Sequence, residues 1–356
     1  MDFKNSIEEL DTSEIINSQY INWDFYRNST ILVTGATGLL GTQTVKALLY
    51  ANEKLNTNIK IIALVRNFDK AIKIFGNKKS LEFCVQDITS KIIFDKNIDF
   101  IIHTANGTSS KEFVEKPVET IESIVSGTRN ILEFAKSKQV KSLVYLSSME
   151  VYGQTDFNKE EPLKENEYGY IDILTPRSSY PEGKRLAETL CVAYATEYNI
   201  PVKISRLVQT LGANVDYNDN RVFAQFARNI AEKKDITLHT KGETVRAYCY
   251  ITDVITALMV ILERGVNGEC YNISNSSSAC SIKEMAENLC KRYNTSSLKI
   301  DLTNENNKFY LPKTKTILDS SKLKALNWEP LVDIDQMYDR LISNFRLISK
   351  GDSVEK

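Results

Sequence analysis

Residues 31–41 read Ile-Leu-Val-Thr-Gly-Ala-Thr-Gly-Leu-Leu-Gly, an apolar run that closes on Gly35, Gly38 and Gly41 at a G-x-x-G-x-x-G spacing. The run has the composition of a buried strand, and Leu39 to Tyr50 has helical periodicity. At a strand-to-helix junction glycines let the chain turn tightly, let a pyrophosphate approach the backbone, and let the helix pack closely on the strand. The chain holds only 14 glycines in 356 residues, so three of them here are informative. They predict a dinucleotide site.

Outward from this stretch the pattern alternates. Strands are expected at Ile59 to Val65, Leu81 to Val85, Phe100 to His103, Leu143 to Leu146 and Val202 to Ser205, each separated by a stretch that reads as a helix. Such alternation predicts an α/β fold with a Rossmann-type, doubly wound parallel sheet covered on both faces. Past about residue 210 the rhythm loosens, with helices expected at 221–233, 252–264, 281–293 and 334–344. The expected organisation is an N-terminal extension over 1–28, a nucleotide-binding domain over 29–205, a smaller mixed α/β substrate domain over 206–348 with segments returning to the first, and a tail over 349–356.

Composition excludes several functions. Lys+Arg 45 against Asp+Glu 46 gives a net charge of −1, without the basic surplus of a nucleic-acid binder. Only His103 and His239 are present, too few for a multi-histidine metal site, so no metal is expected. Six cysteines without a CxxC pair read as free thiols. No apolar run reaches the roughly 18 residues of a membrane span, and the acidic start lacks a signal-peptide core. A cytoplasmic enzyme without membrane or nucleic-acid partners is expected.

With histidine scarce, acid–base chemistry falls to another residue. Tyr180-Pro-Glu-Gly-Lys184 places a phenol and an ammonium at i and i+4 on one helical face. A nearby ammonium favours the phenolate and lowers the tyrosine pKa toward the working range. Upstream, the strand at Leu143 to Leu146 ends in Ser147-Ser148-Met149-Glu150, and strand carboxyl ends are where ligands bind in open α/β sheets. Ser148 is thus placed to hold a substrate hydroxyl against Tyr180. At the end of the second strand, where an acid would favour NAD, the chain has Arg66 followed by Asn67, Lys70 and Lys73. Arg66 either pairs with the 2′-phosphate of NADP or is a solvated loop residue. Asp87 either bonds the adenine amino group or caps a turn.

These residues resemble the extended short-chain dehydrogenase/reductase superfamily, specifically its nucleotide-sugar epimerases, dehydratases and decarboxylases. The likeness spans about residues 29–345 and rests on Thr34-Gly35-x-x-Gly38-x-x-Gly41, His103-Thr-Ala105, Gly127-Thr128-x-Asn130, Ser147-Ser148-x-x-Val151-Tyr152-Gly153, Tyr180-x-x-x-Lys184, Asp319-x-Ser-Lys322 and Trp328-x-Pro330. The resemblance implies NAD(P) held by Gly35, Thr37, Gly38, Leu39, Leu40, Gly41, Arg66, Asp87, Ile88, Thr104, Ala105, Tyr180 and Lys184. It implies that Tyr180 takes the proton of a sugar 4-hydroxyl while hydride leaves C4, that Lys184 holds the nicotinamide ribose, and that Ser148 bonds the 4-oxygen. Glu150 is the candidate that moves a proton beside the 4-keto sugar, whereas Met149 has no proton to give a leaving 6-hydroxyl. Loss of that acid disfavours dehydration more than decarboxylation, and the context Pro176-Arg-Ser-Ser-Tyr180 looks most like the decarboxylases. Gln209 stands where the family has a substrate-binding Asn, and Ile124 replaces another frequent Asn. Arg221 and Arg246 align with arginines that clamp a nucleotide diphosphate, a task suited to the guanidinium fork.

The expected activity is therefore UDP-glucuronate decarboxylation, with 4,6-dehydration or 4-epimerisation next and NADPH-dependent 4-keto reduction, supported by Arg66, third. A reading from another class is a non-catalytic dinucleotide-binding regulator, whose trace would be decay of the serine, tyrosine or lysine; all three stand. The family resemblance also implies a homodimer.

Overall fold

The computed structural model describes residues 6–105, 107, 110–294, 296–303 and 313–351. Its strands, in chain order, are β1 (Thr30–Thr34), β2 (Lys60–Val65), β3 (Leu81–Val85), β4 (Phe100–His103), β5 (Ser142–Ser148), β6 (Val202–Leu207), β7 (Gln209–Leu211), β8 (Ile236–Leu238), β9 (Val245–Tyr250), β10 (Cys270–Ile273), β11 (Asn275–Ser281), β12 (Leu298–Ile300) and β13 (Lys315–Thr316). The helices are α1 (Ser6–Ile16), α2 (Trp23–Tyr26), α3 (Leu39–Leu55), α4 (Phe68–Phe75), α5 (Ser110–Glu115), α6 (Pro117–Lys138), α7 (Ser179–Tyr198), α8 (Val222–Ala231), α9 (Ile251–Arg264), α10 (Ile282–Tyr293), α11 (Ser321–Lys324) and α12 (Ile334–Gly351).

The main sheet has seven strands in the order β10-β6-β5-β4-β1-β2-β3, all parallel. Side chains alternate faces along a strand, so this sheet needs two cores. Ile31, Val33, Ile61 and Ala63 enter one, with Leu48 of α3 and Leu258 of α9. Leu32, Ile62 and Leu64 enter the other, with Ile131 of α6 and Ala187 of α7. The near-continuous apolar runs of the sequence are the mark of strands buried on both faces.

Beyond the sheet's carboxyl edge, β11, β9, β13 and β7 form a second sheet and β12 pairs with β8, flanked by α8, α10 and α12. Trp328 is fully buried and its indole N–H donates to Thr256 Oγ1 at 3.0 Å. Asp253 accepts from the amides of Leu331 and Val332. These bonds fasten the C-terminal segment to α9, which explains the Trp-x-Pro motif. In Asp319-x-Ser-Lys322 the aspartate caps the Ser321 amide and the lysine pairs with Glu269.

Some expectations need correction. Residues 86–99 between β3 and β4 hold turns and no helix. The tail expected from 349 is helical through Gly351, while 352–356 lie outside the described residues. The N-terminal extension is anchored: Trp23 Nε1 donates to Ile16 O, and Tyr26 hydroxyl donates to Met259 O of α9. Buried Glu8 pairs with Lys46 of α3, and Asp11 with Arg340 of α12. All six cysteines are free. Among the described residues no helix is long and apolar enough to cross a membrane, and no cluster of three His, Cys, Asp or Glu side chains could hold a metal ion.

Candidate active site

The strand order reverses direction between β1 and β4, and ligands of open α/β sheets bind in the crevice at that switch. A cavity of about 1070 Å³ opens there, running from the β1–α3 glycine loop to Arg246 on β9. At one end Gly35 adopts φ +59°, and a Cβ on it would sit 2.8 Å from Ala105 Cα. A Cβ on Gly41 would sit 2.2 Å from Gly35 O. Both therefore exclude side chains, and the amino end of α3 is free to face a phosphate.

Thr34 and His103 brace this loop. Thr34 Oγ1 bonds His103 Nδ1 at 2.8 Å and accepts from Ala105 N at 3.1 Å, while Thr104 Oγ1 donates to Thr34 O at 2.6 Å. His103 is fully buried, and burial, seconded by the charge of Lys184, pushes its pKa down to about 3. Its ring is a neutral structural link. The Gly127-Thr128-x-Asn130 motif has the same purpose: a Cβ on Gly127 would crowd Ile88, and Asn130 Nδ2 donates to Ile88 O at 2.9 Å. Together they set Ile88 in the cavity wall.

At the end of the cavity by β2, Arg66, Asn67 and Lys70 line it and Lys73 does not. Asn67 caps α4 by accepting from Lys70 N. Asp87 also lines the cavity, but its carboxylate is held by the amide and hydroxyl of Thr89, which lower its pKa.

At the other end stand Tyr180, Lys184, Ser148 and Glu150. Ser148 Oγ accepts from Glu150 N at 3.2 Å, and its hydroxyl lies close enough to the Tyr180 phenol to favour the phenolate. Lys184 lies one turn on in α7, its Nζ donating to Leu146 O at 2.6 Å and 5.8 Å from the centre of the Tyr180 ring. The Tyr180 pKa is not lowered as expected in this state: burial first, and the charge of Glu150 second, raise the phenol above its ordinary range. Lys184 is itself pushed down to about 7 by burial, against an upward pull from Glu188. Spacing revealed the lysine but not its dehydration.

Three features of this end have no local sequence signal. Phe113 of α5 stacks on Tyr180, with centroids 4.1 Å apart and planes at 12°. Arg177 lies over the Phe113 ring, 5.1 Å from its centre, and pairs with Glu150 Oε2 at 2.7 Å. Beneath, buried Arg206 of β6 grips Glu188 of α7 through Nε and Nη2, and Ser147 bonds the same carboxylate.

The substrate-side arginines also reach the cavity, as does Gln209. Arg221 is engaged by Asp219 at 2.6 Å. Arg246 Nε is buried with no hydrogen-bond partner among the described residues, an unmet donor that suits an anion. Apart from Lys73, the cofactor, catalytic and substrate candidates singled out from the sequence line this one cavity.

Comparison with known proteins agrees with the fold. Residues 31–274 match the model of the NAD dependent epimerase/dehydratase family. The chain belongs to that family. It is similar to UDP-glucuronic acid decarboxylase 6 of Arabidopsis thaliana, at 30% identity over 94% of this chain and 93% of the relative. UDP-glucuronic acid decarboxylase 1 of Xenopus tropicalis is 27% identical over 89% of this chain and 72% of the relative. Among solved structures, dTDP-glucose 4,6-dehydratase of Bacillus anthracis with NAD superposes with a TM-score of 0.73 at 21% identity, over 90% of this chain and 98% of that one. UDP-glucose 4-epimerase of Thermotoga maritima gives 0.73 at 21% identity, over 90% and 99%. As a family member the protein is an NAD(P)-dependent enzyme of the Rossmann type, and its glycine loop and unhindered α3 terminus fit that cofactor.

Proposed function

We propose that this enzyme is a UDP-glucuronate decarboxylase-like member of the family, acting through a 4-keto sugar. The observation that carries the reading is Glu150: its carboxylate lines the cavity beside Tyr180, while Met149, at the position where dehydration wants an acid, brings only a thioether. The decarboxylase relatives support it.

The glycine loop, Thr104, Ala105 and Lys184 would hold the dinucleotide, which supplies the hydride acceptor. Arg246 and Arg221 grip the substrate diphosphate by charge-assisted bonds. Ser148 and Tyr180 hold the sugar 4-hydroxyl, and Tyr180 takes its proton as the carbon is oxidised. Lys184 favours the phenolate, offsetting the burial that opposes it. The 4-ketone then accepts the electron pair that CO₂ leaves at C5, and Glu150 stands where C5 regains a proton. Sequence positions 29–205 supply the cofactor half and 206–348 mainly the sugar-nucleotide half. Exposed Val118, Ile121, Leu186 and Val192 on α6 and α7 support a homodimer through these helices, and the free thiols suit a reducing, cytoplasmic setting.

The test is incubation of the enzyme and NAD with UDP-glucuronate, following CO₂ release and the mass of the sugar nucleotide. A UDP-pentose is expected; an unchanged nucleotide sugar removes the decarboxylase reading. One observation favours a second reading, NADPH-dependent 4-keto reduction: Arg66 and Lys70 line the cavity where an acid would select NAD. Net oxidation of NADPH by a 4-keto nucleotide sugar would select it.

A further inference from the structure

Arg177 precedes the catalytic helix by two residues, in the short turn Pro176–Ser178. Its side chain is 24% exposed and lines the cavity. Of its five N–H donors one is committed among the described residues, a single bond from Nη2 to Glu150 Oε2 at 2.7 Å. The guanidinium is stacked on Phe113, which is stacked in turn on Tyr180, so it is fixed relative to the phenol that receives the sugar 4-oxygen. The two substrate-side arginines are set differently: Arg221 is held through Nε and Nη2 by Asp219, and Arg246 sits on β9.

We propose that Arg177 is the residue that selects a hexuronate, by exchanging its single bond to Glu150 for a forked pair with the substrate's C6 carboxylate. This rests on the decarboxylase reading and names the substrate class of that site. C6 is attached to C5, next to the carbon whose oxygen rests on Tyr180, so its carboxylate must lie near Glu150. Two carboxylates side by side repel unless a cation joins them, and a guanidinium binds a carboxylate best through two parallel bonds. The exchange leaves Glu150 unpaired beside a like charge, which drives it to take a proton from solvent. From the 4-keto sugar, the C5–C6 bond breaks and CO₂ departs. Its electron pair moves through C5 onto the C4 oxygen as an enolate, and the enolate recovers a C–H bond at C5 with the proton from Glu150. One carboxylate and one solvent proton thereby become CO₂ and C–H. A neutral hexose has no anion to trade, so it leaves Arg177 on Glu150.

The test is calorimetric binding of UDP-glucuronate and UDP-glucose to full-length Tyr180→Phe enzyme, alone and combined with Arg177→Gln, Arg177→Lys or Glu150→Gln. The parent is expected to favour UDP-glucuronate by at least about tenfold, what one charge-assisted bond carries. Arg177→Gln should bring the ratio near one with UDP-glucose affinity retained, and Arg177→Lys should recover part of it. Glu150→Gln should tighten UDP-glucuronate alone, because a competitor for Arg177 is removed. Equal weakening of both ligands by Arg177→Gln, or no tightening by Glu150→Gln, overturns the proposal; if Arg177→Gln does not fold, the Glu150 arm decides. Wild-type turnover separates the two claims: preference without CO₂ release sinks the decarboxylase reading alone, and CO₂ release without preference sinks Arg177.

Discussion

Replacing Gly41 by alanine tests whether the glycine loop is shaped for a pyrophosphate. The added Cβ would lie 2.2 Å from Gly35 O and 2.8 Å from Ala36 Cα, where ordinary contact begins at 3.4 Å. Both obstacles are backbone, so the loop must retreat by about 1 Å. Overpacking of this kind costs about 1–3 kcal/mol. With an unfolding entropy of about 0.75 kcal/mol/K for a chain of this length, the melting temperature should fall by about 1–4 °C. If the displaced loop loses two charge-assisted amide–phosphate bonds at about 1.5 kcal/mol each, dinucleotide affinity falls about 100-fold. Gly76→Ala is the control. Gly76 has φ +64° but no atom within 4 Å of its Cβ position, and it lies outside the cavity. Its strain of about 1–3 kcal/mol should lower the melting temperature similarly and leave the dinucleotide affinity alone. Calorimetric titration with NAD and NADP, beside thermal melts, reads both quantities. Wild-type affinity in Gly41→Ala, or an equal loss in Gly76→Ala, would refute the assignment of this loop.

Tyr180→Phe should lower kcat by about 10²–10⁴-fold in steady-state assays while leaving the calorimetric affinity for the sugar nucleotide within twofold. Arg66→Ala should weaken NADP about tenfold and NAD not at all; no change in either would show Arg66 to be a solvated loop residue. Arg246→Gln should raise KM for the sugar nucleotide about 10- to 100-fold with kcat nearly unchanged, and a fall confined to kcat would remove it from diphosphate binding. Lys184 is charged below about pH 7 and neutral above it, so kcat/KM should fall as pH rises through that value. Glu188→Gln should move this limb to lower pH and Arg206→Met to higher pH, each by about one unit; shifts of the same sign would mean that only the packing had been disturbed.

What was legible in the sequence follows from the range of each interaction. Leu81–Val85 and Phe100–His103 are apolar runs, and they are strands with those bounds. The glycine triplet and Tyr180-x-x-x-Lys184 are local patterns whose geometry the neighbouring element dictates. Strand β10, Cys-Tyr-Asn-Ile, carries no such pattern; it is a strand because Cys270 pairs with Ile204, 66 residues earlier. Phe113 is an ordinary helical apolar residue until it meets Tyr180. Arg177 is a charge beside a proline until it meets Glu150, 27 positions away. The pKa of Tyr180 follows the same rule: the lysine at i+4 is written in the sequence, whereas the burial that raises the phenol is a property of the packed site.

The charge arrangement around α7 shows why the fold invests a buried ion pair beneath this site. Arg206 is 1% exposed and Glu188 7%, and a buried pair is weak evidence of stability because desolvation opposes its attraction. Its position argues for another purpose. Glu188 lies one helical turn beyond Lys184, and its charge raises the lysine pKa against the burial that lowers it. Arg206 and Ser147 hold that carboxylate in one orientation. The sheet thus supplies a cation, the cation fixes an anion, and the anion keeps a dehydrated lysine poised near neutrality beside the tyrosine. A hydrophobic replacement of Arg206 and Glu188 could preserve the packing, but Lys184 would lose the charge that opposes its desolvation.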